Sequence, residues 1–178
     1  MSSVTDPSPS HRDRFARTLA FVRQSLPPPA RLLDVGPDNA LAGELRAAGY
    51  AVENTGLADL DDHPEAAAAP ADALIAFEVL EHLVNPLGVL RASPARRLFA
   101  TVPRRLWFAT AYRDDTDPRD RHYHEFEDWQ FDWLLEKAGF GVVRRERWTP
   151  AHQGVPLGVR PLLRRVTPRW YAVEARRP

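Results

Sequence analysis

The segment from Arg31 to Asn39, RLLDVGPDN, most strongly constrains what this chain can fold into. It has the pattern of a buried strand that ends at one glycine, Gly36, and continues directly into a helix. A strand, a glycine turn and a helix form the usual cradle for a nucleotide cofactor, because backbone N–H groups at the helix start can face the ligand. Half of the usual glycine pattern of that cradle is missing here.

Length and composition limit the number of domains and the kinds of partner and site that we can expect. With 178 residues, the chain is near the size of one domain, and we predict a disordered tail over residues 1–10 followed by a single domain over residues 11–178. Basic and acidic residues number 24 each, which gives no reason to expect a nucleic acid or a membrane surface as partner. Cysteine is absent, which excludes disulfides, thiol nucleophiles and cysteine-bound zinc. Because no apolar segment is long enough to span a bilayer, we expect a cytoplasmic protein.

Short apolar runs alternate with amphipathic segments along the chain. The predicted strands are Arg31–Val35, Tyr50–Thr55, Ala73–Phe77, Arg97–Val102, Phe140–Trp148 and Trp170–Ala175. The predicted helices run from His11 to about Ser25, from Ala40 to Ala48, from Val84 or Pro86 to Ala92, and from Glu127 to Ala138. Residues 57–71 read as loop with at most a helical turn or two, and residues 104–126 have no clear assignment.

This alternation predicts an α/β fold with a doubly wound, mostly parallel sheet and helices on both faces. Ligands of such sheets bind outside the carboxyl ends of the strands, where the strand order reverses. In this chain, that rule selects Gly36, Thr55, Phe77 and Val102 together with the residues that follow them.

Five segments together resemble the class I S-adenosylmethionine-dependent methyltransferases over roughly residues 12–178. They are LLDVGPDN, ENTGLADLDD, ADALIAFEVLEHLVNP, RLFATVP and HYHEFEDWQFDWLLEKAGFGVV. The run Glu78–Leu83, EVLEHL, is similar to one carried by small-molecule methyltransferases of this class. The resemblance implies a Rossmann-like fold, S-adenosylmethionine as cofactor, and methyl transfer to a small-molecule acceptor by in-line displacement. Correct positioning of the reactants supplies most of the catalysis of such a reaction.

The first motif of that family is an acidic residue, one further residue, and then three glycines at alternate positions. Asp34 and Gly36 match this motif. Pro37, Asp38 and Asn39 occupy the positions that follow, where the family has a glycine-rich sequence. The resemblance implies that these five residues contact the cofactor. The alternative is a structural turn in which Asp38 or Asn39 caps the following helix.

Further cofactor contacts are expected after the second and third strands. The family places an acidic residue where this chain has Gly56, so Thr55, Asp59 or Asp61 would have to reach the ribose hydroxyls. We predict that the sheet lacks one strand and its helix, and that Leu57–Asp62 forms the adenine wall. Phe77 and Glu78 are expected to line the cofactor cleft.

The segment His122-Tyr123-His124-Glu125 resembles the variable segment that covers the substrate in this family. Tyr123 and His124 are the predicted catalytic residues, acting as proton acceptors, with a structural role as the alternative. Two histidines and a glutamate can chelate a metal, but no further ligand motif accompanies them. We therefore predict no metal site.

Two functions follow from these patterns. The first is an active methyltransferase, and the second is a non-catalytic descendant that keeps the fold as a binding or assembly module. The motifs after residue 70 favour the first function, which we prefer. The lost glycines, the missing ribose acid and the shortened middle of the chain favour the second. A nicotinamide-dependent oxidoreductase is disfavoured, because G-x-G-x-x-G does not follow the first strand. The sequence determines neither the acceptor nor the oligomeric state.

Overall fold

The computed structural model describes residues 9–149 and 158–178, and a sheet of six strands lies at its centre. The strands are β1 (Arg31–Asp34), β2 (Ala51–Asn54), β3 (Ala73–Phe77), β4 (Arg97–Pro103), β5 (Gly141–Trp148) and β6 (Trp170–Arg176). The helices are α1 (Pro9–Arg23), α2 (Ala40–Ala47), α3 (Pro86–Ala92), α4 (Asp128–Lys137) and α5 (Val159–Val166). Short 3₁₀ segments cover Pro64–Ala68, Leu80–His82 and Pro118–Asp120.

The strand order is β2-β1-β3-β4-β6-β5. Strands β1 to β4 are parallel, whereas β6 pairs antiparallel with both β4 and β5. The order reverses between β1 and β3, so the carboxyl ends of these strands form the crevice expected of a doubly wound sheet. The predicted fold class is confirmed.

The chain between β2 and β3 is shortened, as predicted. It contains the 3₁₀ segment Pro64–Ala68 and no strand, so β2 forms one edge of the sheet. Ala67 in this segment is fully buried and packs in the core beside Leu74 and Leu90. A single turn therefore fills the position of the missing helix.

The sheet separates two hydrophobic cores. On one face, α1 and α2 contribute Phe21, Val22 and Leu45 to a core that contains Phe99 of β4. The core on the other face contains side chains of α3 and α4, including Leu90, Phe131 and Leu135. Helices thus cover both faces of the sheet. Successive side chains of β3 and β4 point to opposite faces, so each of these strands contributes buried residues to both cores.

The element boundaries differ from the predicted ones at few places. Helix α1 begins at Pro9, inside the segment predicted as a tail, and residues 1–8 of that segment lie outside the described residues. Helix α5 was not predicted.

In the described part of the chain, no helix combines the length and apolar character needed to cross a membrane. The cytoplasmic location stays a prediction.

Candidate active site

The turn that follows β1 is hydrogen-bonded to the turn that follows β2. Gly36 has a φ of 117°, which side chains with a Cβ rarely tolerate. Its N–H donates to Thr55 Oγ1 at 2.7 Å, and its carbonyl accepts from the Gly56 N–H at 3.1 Å. Three predicted cofactor contacts therefore lie together at the carboxyl edge of the sheet.

Asp34 ends β1 with its carboxyl group buried beneath this turn. Its Oδ2 atom accepts from Asn39 Nδ2 at 3.3 Å and from Asn54 Nδ2 at 3.0 Å. Burial raises the pKa of Asp34 to about 7, because the cost of desolvating the carboxylate exceeds the stabilisation from the two amides. Asn54 was not selected from the sequence; only the pairing of β1 with β2 places it opposite Asp34.

Asp38 and Asn39, which follow the Gly36 turn, make structural contacts. Asp38 pairs with Arg46 at 2.7 Å. Asn39 is the N-cap of α2, with its Oδ1 accepting from the Ala42 N–H at 3.0 Å, and its Nδ2 also donates to the Pro37 carbonyl at 3.2 Å. These contacts favour the structural-turn alternative for Asp38 and Asn39, and their contact with a cofactor stays a prediction.

Replacing Asn39 with alanine is expected to lower the free energy of unfolding by about 2 kcal/mol, of which about 1 kcal/mol is the lost cap and the rest a lost donor to buried Asp34. Urea denaturation measures the loss. The matched control is Asn85→Ala, which removes an equivalent cap from α3, where Asn85 Oδ1 accepts from the Gly88 N–H at 3.1 Å. Equal losses in the two variants would show that Asn39 does not support Asp34.

The acidic loop after β2 is held by its own carboxylates. Asp59 Oδ1 accepts from the Asp61 N–H at 3.0 Å. The two oxygens of Asp61 accept from the N–H groups of Val84 and Asn85 at 2.8 and 2.6 Å. Asp61 therefore anchors the start of α3, whereas Asp59 remains the predicted ribose contact of this loop.

A strained acidic residue, Glu78, follows Phe77 at the end of β3. Its φ is 58°, which is uncommon outside glycine and costs about 1–3 kcal/mol. Arg14 of α1 contacts it, with Nη1 3.0 Å from Oε2, while Oε1 is buried without a hydrogen-bond partner. Burial raises the pKa of Glu78 in spite of the Arg14 charge. Backbone strain of this kind is concentrated at functional sites.

Glu81 lies one turn later and links two distant segments. Its side chain is 1% exposed, and Oε2 has no hydrogen-bond partner among the described residues. Burial and the nearby charge of Glu78 raise the pKa of Glu81 well above its usual range. The Glu81 carbonyl accepts from the N–H groups of Tyr123 and His124 at 2.8 and 3.2 Å. The EVLEHL segment therefore fixes the position of the predicted substrate-covering segment.

A cavity of about 430 Å³ opens at the carboxyl ends of β3 and β4. Glu78 and Glu81 contribute acidic groups to its wall, and Arg14, Arg104, Arg105 and Arg169 contribute basic ones. Burial and the charge of Arg164 lower the pKa of Arg169. This size and this mixture of charges suit a polar small molecule.

The predicted catalytic residues Tyr123 and His124 are not part of this cavity's lining. The Tyr123 side chain is half exposed, and His124 Nε2 lies 3.3 Å from the Val84 carbonyl. The lining contains His122 and Tyr112 instead, with their rings 4.3 Å apart. The predicted segment lies beside the cavity, and the hydrogen bonds to the Glu81 carbonyl decide which of its side chains faces inward. A catalytic role for Tyr123 and His124 stays a prediction.

A family model described as a methyltransferase domain matches residues 10–145. The chain belongs to this methyltransferase family. The match extends from α1 into β5 and so includes the Gly36 turn and most of the residues that line the cavity. No curated protein matches the methyltransferase chain significantly.

Solved structures with this fold are methyltransferases as well. The Burkholderia thailandensis 1,6-didemethyltoxoflavin-N1-methyltransferase is 19% identical, with a TM-score of 0.65 over 94% of this chain and 83% of the other. The magnesium protoporphyrin IX methyltransferase of Synechocystis is 14% identical, with a TM-score of 0.61 over 95% and 84%. The Bradyrhizobium japonicum N-methyltransferase NodS is 14% identical, with a TM-score of 0.57 over 97% and 99%.

S-adenosylhomocysteine, the demethylated form of S-adenosylmethionine, is bound in the first two of these structures. S-adenosylmethionine is the cofactor of methyltransferases with this fold, and the methyltransferase site of this chain fits it. A Cβ at Gly56 would meet no atom within 4 Å, and the neighbouring Leu57 is 78% exposed, which leaves an open apolar place for a base. The Glu78 carboxyl group, whose side chain is 17% exposed, can accept from an ammonium group.

Proposed function

We propose that this chain transfers a methyl group from S-adenosylmethionine to a small-molecule acceptor held in the 430 Å³ cavity. The observation that carries the proposal is that the Gly36 turn lies close to the segment that forms the cavity wall. A Cβ at Gly36 would lie 3.9 Å from a methyl carbon of Val79, and the preceding residue, Glu78, belongs to the cavity wall. Cofactor and acceptor would therefore meet at Glu78.

The cofactor supplies an activated methyl group on a sulfonium centre, and the chain's own residues position it. In this proposal, Gly36, Thr55 and Gly56 lie along the cofactor, and Phe77 and Glu78 separate it from the acceptor. Holding two reactants in line turns a bimolecular step into a nearly unimolecular one and can contribute several kcal/mol without an acid or a base. This argument needs no single obligatory catalytic side chain.

The acceptor class follows from the charges of the cavity. The arginines of the lining can bind an anionic group, and the carboxyl groups of Glu78 and Glu81 can orient a hydroxyl or an amine. We infer that the acceptor is a polar small molecule with an acidic substituent and a nucleophilic oxygen or nitrogen.

Isothermal titration calorimetry of the full chain with S-adenosylhomocysteine tests the cofactor. We expect saturable binding of one molecule per chain in the micromolar range. Absence of binding at millimolar ligand would refute the proposal. Nicotinamide adenine dinucleotide serves as the control ligand, because it shares the adenosine moiety and the chain lacks the glycine pattern for it.

The second candidate function is a non-catalytic binding module, favoured by one observation. The Gly36 N–H already donates to Thr55 Oγ1 at 2.7 Å, and the side chains of Asp38 and Asn39 are engaged in structural contacts. Cofactor binding without turnover on a broad panel of acidic small-molecule acceptors would support this function. Any methylated product detected by mass spectrometry would exclude it.

A further inference from the structure

Three side chains of the type that bind metal ions converge at the floor of the cavity. Glu81, His82 and His122 each offer one ligand atom, and these atoms lie within 4.8 Å of one another. Ligand atoms bound to one ion at about 2.1 Å lie at most about 4.2 Å apart, so a small side-chain rotation is enough to close the site. Two of these residues come from the EVLEHL motif, and His122 comes from a segment forty residues away.

The hydrogen bonding of His82 leaves the correct nitrogen available. Its Nδ1 lies 3.1 Å from the Arg121 carbonyl oxygen, which can only accept, so Nδ1 carries the proton. The lone pair is then on Nε2, which faces Glu81 Oε1 at 3.8 Å. A ring N–H donated to a backbone carbonyl is the arrangement that orients metal-binding histidines.

Glu81 provides an independent observation. Its carboxyl group is 1% exposed, and Oε2 is buried without a hydrogen-bond partner in the described structure. Buried polar atoms are nearly always paired, so an orphaned carboxylate oxygen at this position calls for a ligand. The nearby Arg14 pairs with Glu78 rather than with Glu81.

The backbone holds the three residues in place. The Glu81 carbonyl accepts from the N–H groups of Tyr123 and His124. The backbone carbonyl of Arg121 accepts from Nδ1 of His82. The rings of His82 and His122 are 4.7 Å apart at a nearly perpendicular angle. Because the main chain on both sides of His122 is fixed to the 3₁₀ segment Leu80–His82, binding an ion requires little ordering of the chain.

We propose that Glu81, His82 and His122 bind one divalent transition-metal ion, with the remaining coordination positions open to the cavity. Two imidazoles and one carboxylate suit zinc or iron(II), and such a site holds oxygen ligands in its open positions. The ion would bind oxygen atoms of the acceptor in these open positions and so hold the acceptor in the cavity. That role rests on the proposed function, whereas binding of the ion does not.

Metal titration of the full chain, produced without an affinity tag and stripped with a chelator, tests the site. We expect one Zn²⁺ per chain by calorimetry, and visible absorption bands when Co²⁺ is added. His82→Ala and His122→Ala should each lower the affinity for Zn²⁺ by about tenfold or more. Glu81→Gln, which keeps the shape but removes the charge, should also lower it.

The control variant is His63→Ala. His63 is exposed and contacts Glu65 at 3.1 Å, away from the cavity, so this variant should bind Zn²⁺ as the unmodified chain does. Circular dichroism establishes that every variant is folded. An equal loss of affinity in His63→Ala, or no saturable binding up to about 100 µM Zn²⁺, would refute the site. The S-adenosylhomocysteine titration of the unmodified chain is independent, so failure of the metal site and failure of the proposed function are distinguishable.

Discussion

A Gly36→Val variant should bind S-adenosylhomocysteine about a hundredfold more weakly than the unmodified chain. At a φ of 117°, a β-branched side chain is strained by about 1–3 kcal/mol, so the turn must change its conformation. The added methyl groups also enter the space beside Val79, where the cofactor is proposed to lie. Each 1.4 kcal/mol of lost binding energy corresponds to a factor of ten in affinity. Calorimetry measures the loss.

Gly43→Ala is the matched control for this variant. Gly43 lies within α2, and a Cβ at this position would meet no atom within 4 Å. Alanine in a helix is favoured over glycine by about 0.5–1 kcal/mol, so Gly43→Ala should stabilise the chain and leave the affinity for S-adenosylhomocysteine unchanged. Unaltered binding by a folded Gly36→Val variant would show that the cofactor does not lie beside Gly36.

Asp34→Asn should produce the second large effect, a change in how stability depends on pH. In the folded chain the pKa of Asp34 is about 7, above its usual value of 3.8, so folding takes up a proton between these two pH values. Stability from this group is therefore lost as the pH rises through that window. The amide cannot ionise, yet its oxygen can still accept from Asn39 and Asn54.

The stability advantage of Asp34→Asn over the unmodified chain should therefore grow by about 3 kcal/mol between about pH 5 and about pH 8. Urea denaturation at both pH values measures it. Asp115→Asn is the control, since the Asp115 carboxylate is 69% exposed and pairs with Arg113 at the surface. Its effect should be small and the same at both pH values. A constant difference for Asp34→Asn would contradict a buried, protonated Asp34.

The sequence predicts the sheet well because its strands are buried runs bounded by clear signals. β3 and β4 are almost entirely buried, and proline or glycine lies at most helix boundaries. α5 was missed although Val159, Leu162 and Val166 recur at helical spacing, because Pro161 and three arginines interrupt a short segment of eight residues. It contributes no side chain to either core.

The closeness of Gly36 to Thr55 was predictable from general rules of the fold. Local patterns predict the Gly36 turn between a strand and a helix, and Thr55 is expected beside it because the carboxyl ends of parallel strands meet at one edge of the sheet. The inward-facing residue of the segment 121–124 depends on hydrogen bonds to the Glu81 carbonyl, forty residues earlier in the chain. No local pattern encodes such a contact, so Tyr123 and His124 were selected while His122 lines the cavity.

The contacts around Asp34 also limit how this loop can evolve. Asn39 and Asn54 both donate to the Asp34 carboxyl group, and Arg46 connects Asn54 to Asp38. Side chains that share one network have non-additive effects. A glycine at position 39 removes a donor to a buried carboxyl group, whereas a glycine at position 38 removes only a surface ion pair. Substitution of this loop is therefore restricted far more strongly at Asn39 than at Asp38.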